Sequence, residues 1–128
     1  MSTYGAGLLI MRSDGRMLLT RRGPYESSPG YWDAPGGGVE AGETHLQAAV
    51  REGHEELGGL PRLEIATEPV WWAPSPFFAF ALFPAKLDAS WEGWEPALSP
   101  EHDAYGWFSL NELPKPMLEG LTHSLRKL

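Results

Sequence analysis

The segment from Thr44 to Gly58 constrains the fold more than any other, because it carries both ends and the middle of a helix. Thr44 is a good N-cap, and Gln47 three residues later completes a capping box. Leu46, Ala49, Val50, Gly53 and Leu57 recur at helical spacing and define one face. Gly58 supplies a C-terminal stop. The pattern predicts a helix over residues 45–57. Such a face must be buried against another layer of structure.

The opposite face carries charge. Glu52, Glu55 and Glu56 fall within an arc of roughly 100°, and the apolar residues point about 130° away. Ala48 lies one turn earlier on the carboxylate side, where a small side chain leaves room for a metal or a phosphate. Like-charged neighbours at this spacing cost only about 0.2–0.5 kcal/mol per pair, so a solvated acidic face is one reading. A divalent cation among them is the other. Magnesium takes oxygen ligands and shares its shell with phosphates, and manganese can substitute. Gly36, Gly37 and Gly38 precede the helix and let backbone approach a ligand closely. Arg51 can grip a carboxylate bidentately, tying Glu43 or Glu55 in place. A plain surface ion pair with Glu55 is the alternative.

Around the helix the chain reads mostly as strands. Gly5 to Met11 is a buried strand, and the Ser13-Asp14-Gly15-Arg16 turn returns it as Met17 to Arg22. Residues 23–31 form a loop, and residues 32–38 hold a short strand. Further strands are expected within 62–72, over 77–87 and over 105–110, with a long loop at 88–100. Leu118, Leu121 and Leu125 mark a C-terminal helix over 118–128. This order predicts an α/β fold with a mixed sheet and helices on its faces.

The chain of 128 residues suits one domain, residues 1–128. It has no cysteine, which excludes disulfides, zinc–thiolate sites and thiol nucleophiles. Met1-Ser2-Thr3-Tyr4 lacks a basic region followed by a long apolar run, so no signal peptide is expected. The longest apolar run, near Phe77 to Ala85, is far below the roughly 20 residues that span a bilayer. No membrane association and a cytoplasmic location are therefore expected. The formal charge of −7 disfavours sequence-independent binding to nucleic acid, but a bound metal reverses the local sign for a small anionic substrate.

Gly37, Glu43, Arg51, Glu52, Glu55, Glu56 and Gly58 reproduce the spacing of the Nudix box, so the chain resembles the MutT-like pyrophosphohydrolases. The flanks agree: Leu18 to Arg22, then Trp32 before the Pro35 to Gly38 run, then Trp107 to Leu110. Gly53 and Gly59 depart from the pattern, standing where that family usually has a bulky apolar residue. Gly53 should face the sheet, and Leu60 can supply the contact missing at Gly59.

The resemblance implies the Nudix α/β/α sandwich around a central mixed sheet. It implies hydrolysis of a nucleoside diphosphate linked to another moiety, a nucleoside triphosphate or a nucleotide-sugar, by water attack on phosphorus. Glu52, Glu55 and Glu56 would bind Mg²⁺ (Mn²⁺ possible) with the Gly36 carbonyl. Glu52 is the first choice for general base, and Glu43 and Arg51 would orient the site. An extra carboxylate is expected from Glu92, Glu95 or Glu101, with Glu101 preferred. Of Arg21 and Arg22, neighbours on a strand, only one should reach the substrate. Trp32, Gly37 and Gly38 join them as candidate substrate contacts. Trp32, Trp71, Trp72, Phe77 and Phe78 can stack on a base, but core packing is the preferred reading. His102 can transfer protons, with a surface position preferred; His45, His54 and His123 are read as surface residues. The expected partner is a small nucleotide, and the protein is a monomer or homodimer. The alternatives are an RNA 5′-end pyrophosphohydrolase and a non-catalytic nucleotide-binding Nudix module.

Overall fold

A computed structural model describes residues 4–128; the reading of the first three residues lies outside them. The strands are β1 (Tyr4–Met11), β2 (Met17–Arg22), β3 (Trp32–Asp33), β4 (Gly36–Gly38), β5 (Leu63–Ile65), β6 (Val70–Ser75), β7 (Phe78–Leu87) and β8 (His102–Phe108). The helices are α1 (His45–Leu57) and α2 (Glu119–Leu125), with a short 3-10 turn at Ala89–Trp91. All strands join one mixed sheet in which β1 and β7 run parallel, from Tyr4 opposite Ala79 to Met11 opposite Lys86. The other pairings are antiparallel.

Alternation along the strands sorts the core into two layers. Ala6, Leu8 and Ile10 of β1, with Leu18 of β2 and Ala81, Phe83 and Ala85 of β7, pack with Ala48, Ala49 and Leu57 of α1. The intervening Leu9, Met17, Leu19 and Leu82 pack with Leu121 and Leu125 of α2. One helix on each face makes the α/β/α sandwich.

α1 has the expected bounds. The Thr44 hydroxyl accepts from the Gln47 N–H (3.0 Å), and the Gln47 side-chain oxygen accepts from the Thr44 N–H (2.9 Å). Gly58 takes a left-handed conformation (φ 69°) and donates its N–H to the His54 carbonyl. The helix is rolled, however, relative to the expected face. Leu46 is exposed and Val50 half-buried, while Ala48, Ala49, Gly53 and Leu57 are buried. Small residues let the helix sit close on the sheet; a Cβ on Gly53 would lie 3.0 Å from Leu8 Cδ1 and 3.2 Å from Leu60 Cδ2. Ala48 is thus a core residue and leaves no room for a ligand.

Three strand readings change. Residues 32–38 split into β3 and β4 at Ala34-Pro35, where the chain stops pairing with β2 and begins pairing with β1. Residues 62–72 split into β5 and the start of β6, which lie along different parts of β7. β8 begins at His102, because it follows β2 as far as Arg22 through a bulge.

Candidate active site

β4 and α1 meet through backbone. A Cβ on Gly37 would lie 2.5 Å from the Glu52 carboxyl carbon, and the Gly36 N–H donates to Glu56 Oε2 (2.8 Å). The roll of α1 buries Glu56 to 3% exposure. Burial pushes its carboxyl up to about 9; the Gly36 N–H opposes this, while the charges of Glu52, Glu101 and Asp33 reinforce it. Glu52 is also raised, first by burial, against its hydrogen bond from Arg51 and with the charges of Glu55 and Glu101. Glu55 is exposed. Glu101, exposed just before β8, acts on both inner glutamates through its charge.

Arg51 ties this arrangement together. Its Nε and Nη2 donate to the two carboxylate oxygens of Glu43 (2.7 and 3.0 Å). Nη1 reaches Glu52 (3.0 Å) and Glu55 (3.4 Å), and Nη2 also reaches the Gly38 carbonyl (3.0 Å). Both readings of this residue are therefore realised, with the bidentate grip on Glu43 the tighter. Those bonds, with one from the Glu40 N–H, hold the Glu43 carboxyl below its ordinary range.

The donor set suits a hard divalent cation in its chemistry. It offers carboxylate oxygens, and the Glu56 carboxyl is buried with no cationic side chain bonded to it among the described residues to favour its ionised form. Gly36 meets Glu56 through its N–H. As the side chains stand, no three carboxylate or imidazole groups among the described residues converge on one point. Arg51 draws Glu52 and Glu55 toward itself instead.

Beyond β4 lies a cavity of about 630 Å³. Gly36, Gly37 and Gly38 form its edge, and Trp72, Phe78 and Phe80 form an aromatic wall. α2 closes another side. Arg22 lines it, with its guanidinium donating to the Ser27 carbonyl (2.5 Å) and hydroxyl (2.9 Å). Arg21 does not line it; it pairs with Asp103 (2.8 Å) and lies over the Trp32 ring. Trp32 is also outside the lining, edge-on to Phe108 at 5.1 Å and packed on the α2-side core.

Core packing does not describe the remaining aromatics. Trp72 and Phe78 line the cavity, Trp71 is exposed beside His45, and Phe77 is 79% exposed at a hairpin tip. His102 is buried, not superficial, and its Nδ1 has no partner; burial, then the Arg22 charge, lowers its pKa. His45 is half-buried between the rings of Tyr4 and Trp71.

Asp33 and Ser124 are among the cavity residues that the sequence reading missed. Asp33 has its carboxyl raised to about 6 by burial, against the Ala34 N–H and the Arg22 charge. Its position directly before the glycine run was the available signal. Ser124 of α2 is buried with its hydroxyl unpartnered. Nothing local in the sequence marks it.

The model of the NUDIX domain matches residues 1–128. An RNA pyrophosphohydrolase from Rickettsia bellii (strain OSU 85-389) is 29% identical over 127 residues, covering 85% of this chain and 76% of that protein. The crystal structure of a MutT NUDIX hydrolase from Burkholderia pseudomallei superimposes with a TM-score of 0.77 at 30% identity, covering 100% of this chain and 98% of the other. A C. elegans Ap4A hydrolase binary complex gives 0.70 at 28%, covering 84% and 81%. Among the described residues, no helix is long and apolar enough to cross a membrane.

Proposed function

Since this chain belongs to the Nudix family and is a Nudix hydrolase, we propose that it cleaves the pyrophosphate of a small nucleotide, a nucleoside triphosphate or a nucleotide-sugar, in the cytoplasm. The observation that carries this reading is the shared glycine strand. Glu52 and Glu56 meet Gly36 and Gly37 on one side, and the aromatic cavity is lined by these two glycines together with Gly38. A ring held in that cavity would lead its phosphates over backbone without side chains toward the carboxylates.

Nudix hydrolases generally use divalent metal ions. Glu52, Glu55, Glu56 and Glu101 would hold Mg²⁺ or Mn²⁺ here, with the Gly36 backbone. Such an ion neutralises phosphate charge and makes water more acidic. Glu52 is suited to take the proton of the attacking water, because its carboxyl is raised yet held in orientation by Arg51. Arg51 and Glu43 act as positioning residues. Arg22, at the cavity wall, is the arginine suited to an anionic group.

Cleavage of RNA 5′ ends is a second reading, favoured by the likeness to proteins named RNA pyrophosphohydrolase. The acidic surface weighs against a polyanion. A screen of nucleoside triphosphates, nucleotide-sugars, dinucleoside polyphosphates and 5′-triphosphorylated RNA, with Mg²⁺ or Mn²⁺ and product identification, tests both. Fast turnover of a free nucleotide lost in Glu52→Gln supports the first reading. RNA as the preferred substrate supports the second, and nucleotide binding without turnover overturns both.

A further inference from the structure

The segment that leads from the 3-10 turn into β8 carries three glutamates, Glu92, Glu95 and Glu101. Glu101 acts on Glu52 and Glu56 through its charge, and the other two are engaged elsewhere. Glu92 Oε1 accepts from the N–H and the hydroxyl of Ser13, in the turn between β1 and β2 (3.2 and 2.5 Å). Glu95 turns to β8. Its Oε2 accepts from the Trp107 indole N–H (3.4 Å). The Tyr105 hydroxyl donates to the same carboxylate, a bond that raises the Tyr105 pKa ahead of burial. Residues two apart on a strand share a face, so one side chain can take both donors.

The indole is itself held in place. Tyr105, Trp107, Trp94 and Leu98 all pack on the α1-side core. Trp94 meets Trp107 edge-on at 6.3 Å, and the Arg12 guanidinium lies over the Trp107 ring at 4.8 Å. Glu95 therefore binds a fixed point, and its bonds close residues 95–105 into a loop that contains Glu101. The buried Pro96 follows directly, and its locked φ carries the placement of Glu95 on to Ala97. The Gly23 N–H donates to the Glu101 carbonyl (2.9 Å) on the far side of that loop.

On the reading that Glu101 joins the carboxylates that hold a divalent ion, we propose that Glu95 is a positioning residue. By clasping Tyr105 and Trp107 it sets where Glu101 presents its carboxylate to Glu52 and Glu56. Glu95 touches neither ion nor substrate. Glutamine can close the same clasp, since its amide oxygen accepts from the indole and its amide N–H donates to the tyrosine oxygen. Alanine cannot.

The test titrates Mn²⁺ into wild type, Glu95→Ala, Glu95→Gln, Tyr105→Phe, Glu101→Gln and the double variant of Glu95→Ala with Glu101→Gln. The paramagnetic resonance of free Mn²⁺ reports binding and needs no turnover. In parallel, kcat and KM are measured for the nucleotide that wild type turns over fastest. Glu95→Ala should weaken Mn²⁺ binding roughly tenfold and lower kcat with KM little changed. Glu95→Gln should stay close to wild type, and Tyr105→Phe should fall between. In the Glu101→Gln background, Glu95→Ala should add no further loss, because no carboxylate is left to place. A merely structural role would give the same loss in both backgrounds. Wild-type affinity in Glu95→Ala, a loss in Glu95→Gln as large as in Glu95→Ala, or fully additive losses overturns the inference while leaving hydrolysis intact. Wild-type Mn²⁺ binding and turnover in Glu101→Gln overturns it together with the metal role of Glu101. Coupled Mn²⁺ losses in a protein that turns over no nucleotide sustain it and overturn the nucleotide reading instead. Absence of Mn²⁺ binding by wild type overturns both the inference and the metal reading.

Discussion

Glu56 makes the metal-free protein sensitive to base. Its carboxyl is raised from an ordinary 4.5 to about 9, chiefly by burial. Folded Glu56 thus holds its proton more tightly than unfolded Glu56. The native state binds more protons across that window, so stability falls as pH rises through it. Glu52, also raised by burial, adds a slope of the same sign, and Asp33 and His102 act lower down. Asp33, raised to about 6, has the same sign but is spent above that value. His102 is lowered, so it adds stability as pH rises, and that contribution is complete near its unfolded value of 6.5. Between pH 6.5 and 8.5 the slope belongs mainly to Glu56. Two pH units at about 1.36 kcal/mol each give a loss of about 3 kcal/mol. For a domain of this size that is roughly 10 °C in melting temperature. The assay is a thermal melt of chelator-treated protein across this range, in wild type and Glu56→Gln. The variant should melt at a nearly constant temperature. Adding Mg²⁺ should stabilise wild type increasingly as pH rises, because a cation favours the ionised carboxylate. A flat wild-type profile, or an identical slope in Glu56→Gln, would refute the buried, unneutralised carboxylate.

Gly37→Ala should reduce kcat at least tenfold with a modest stability loss, because its Cβ would displace the Glu52 carboxylate now 2.5 Å away; unchanged kcat would separate Glu52 from the chemistry. Arg51→Lys keeps the charge but loses the bidentate grip on Glu43, so kcat should fall with KM little changed. Glu43→Gln should give a similar loss, and the double variant should lose little more; additive losses would show that the two act separately. Thr44→Ala should lower stability by about 1 kcal/mol through loss of the helix cap, without altering kcat, as denaturant melts and steady-state kinetics would report.

What the sequence made legible was local. The ends of α1 follow from Thr44, Gln47 and Gly58, each acting on backbone within a few residues. The acidic cluster was legible for the same reason, since Glu52, Glu55 and Glu56 sit on adjacent turns. The roll of α1 was not, because it depends on how closely Ala48, Ala49 and Gly53 let the helix approach Leu8. Hydrophobic spacing nominated Leu46 and Val50, but bulk at those positions matters less than its absence at the contact. That roll decides the chemistry of the site, for it is what buries Glu56 beside Gly36. Likewise the aromatic residues could not be sorted by composition. Trp72 faces a cavity and Trp32 a core because β6 and β3 pair with different strands.

The long 88–100 loop shows how distance in sequence enters the site. A helix leaves its last carbonyls without partners. Here the loop supplies them: the Ser99 N–H donates to the Glu56 carbonyl and the Ala97 N–H to the Leu57 carbonyl, both at 3.0 Å. Gly58 keeps clear the space that Ala97 occupies, where a Cβ would come within 2.7 Å of its carbonyl oxygen. Trp94 and Leu98 pack on the α1-side core, fixing the same segment from below. The chain then reaches Glu101 two residues after Ser99, which is how that charge comes to act on Glu52 and Glu56. The loop is therefore long because it does two tasks at once. It caps the helix that bears the inner carboxylates, and through that cap it sets the position of the outer one.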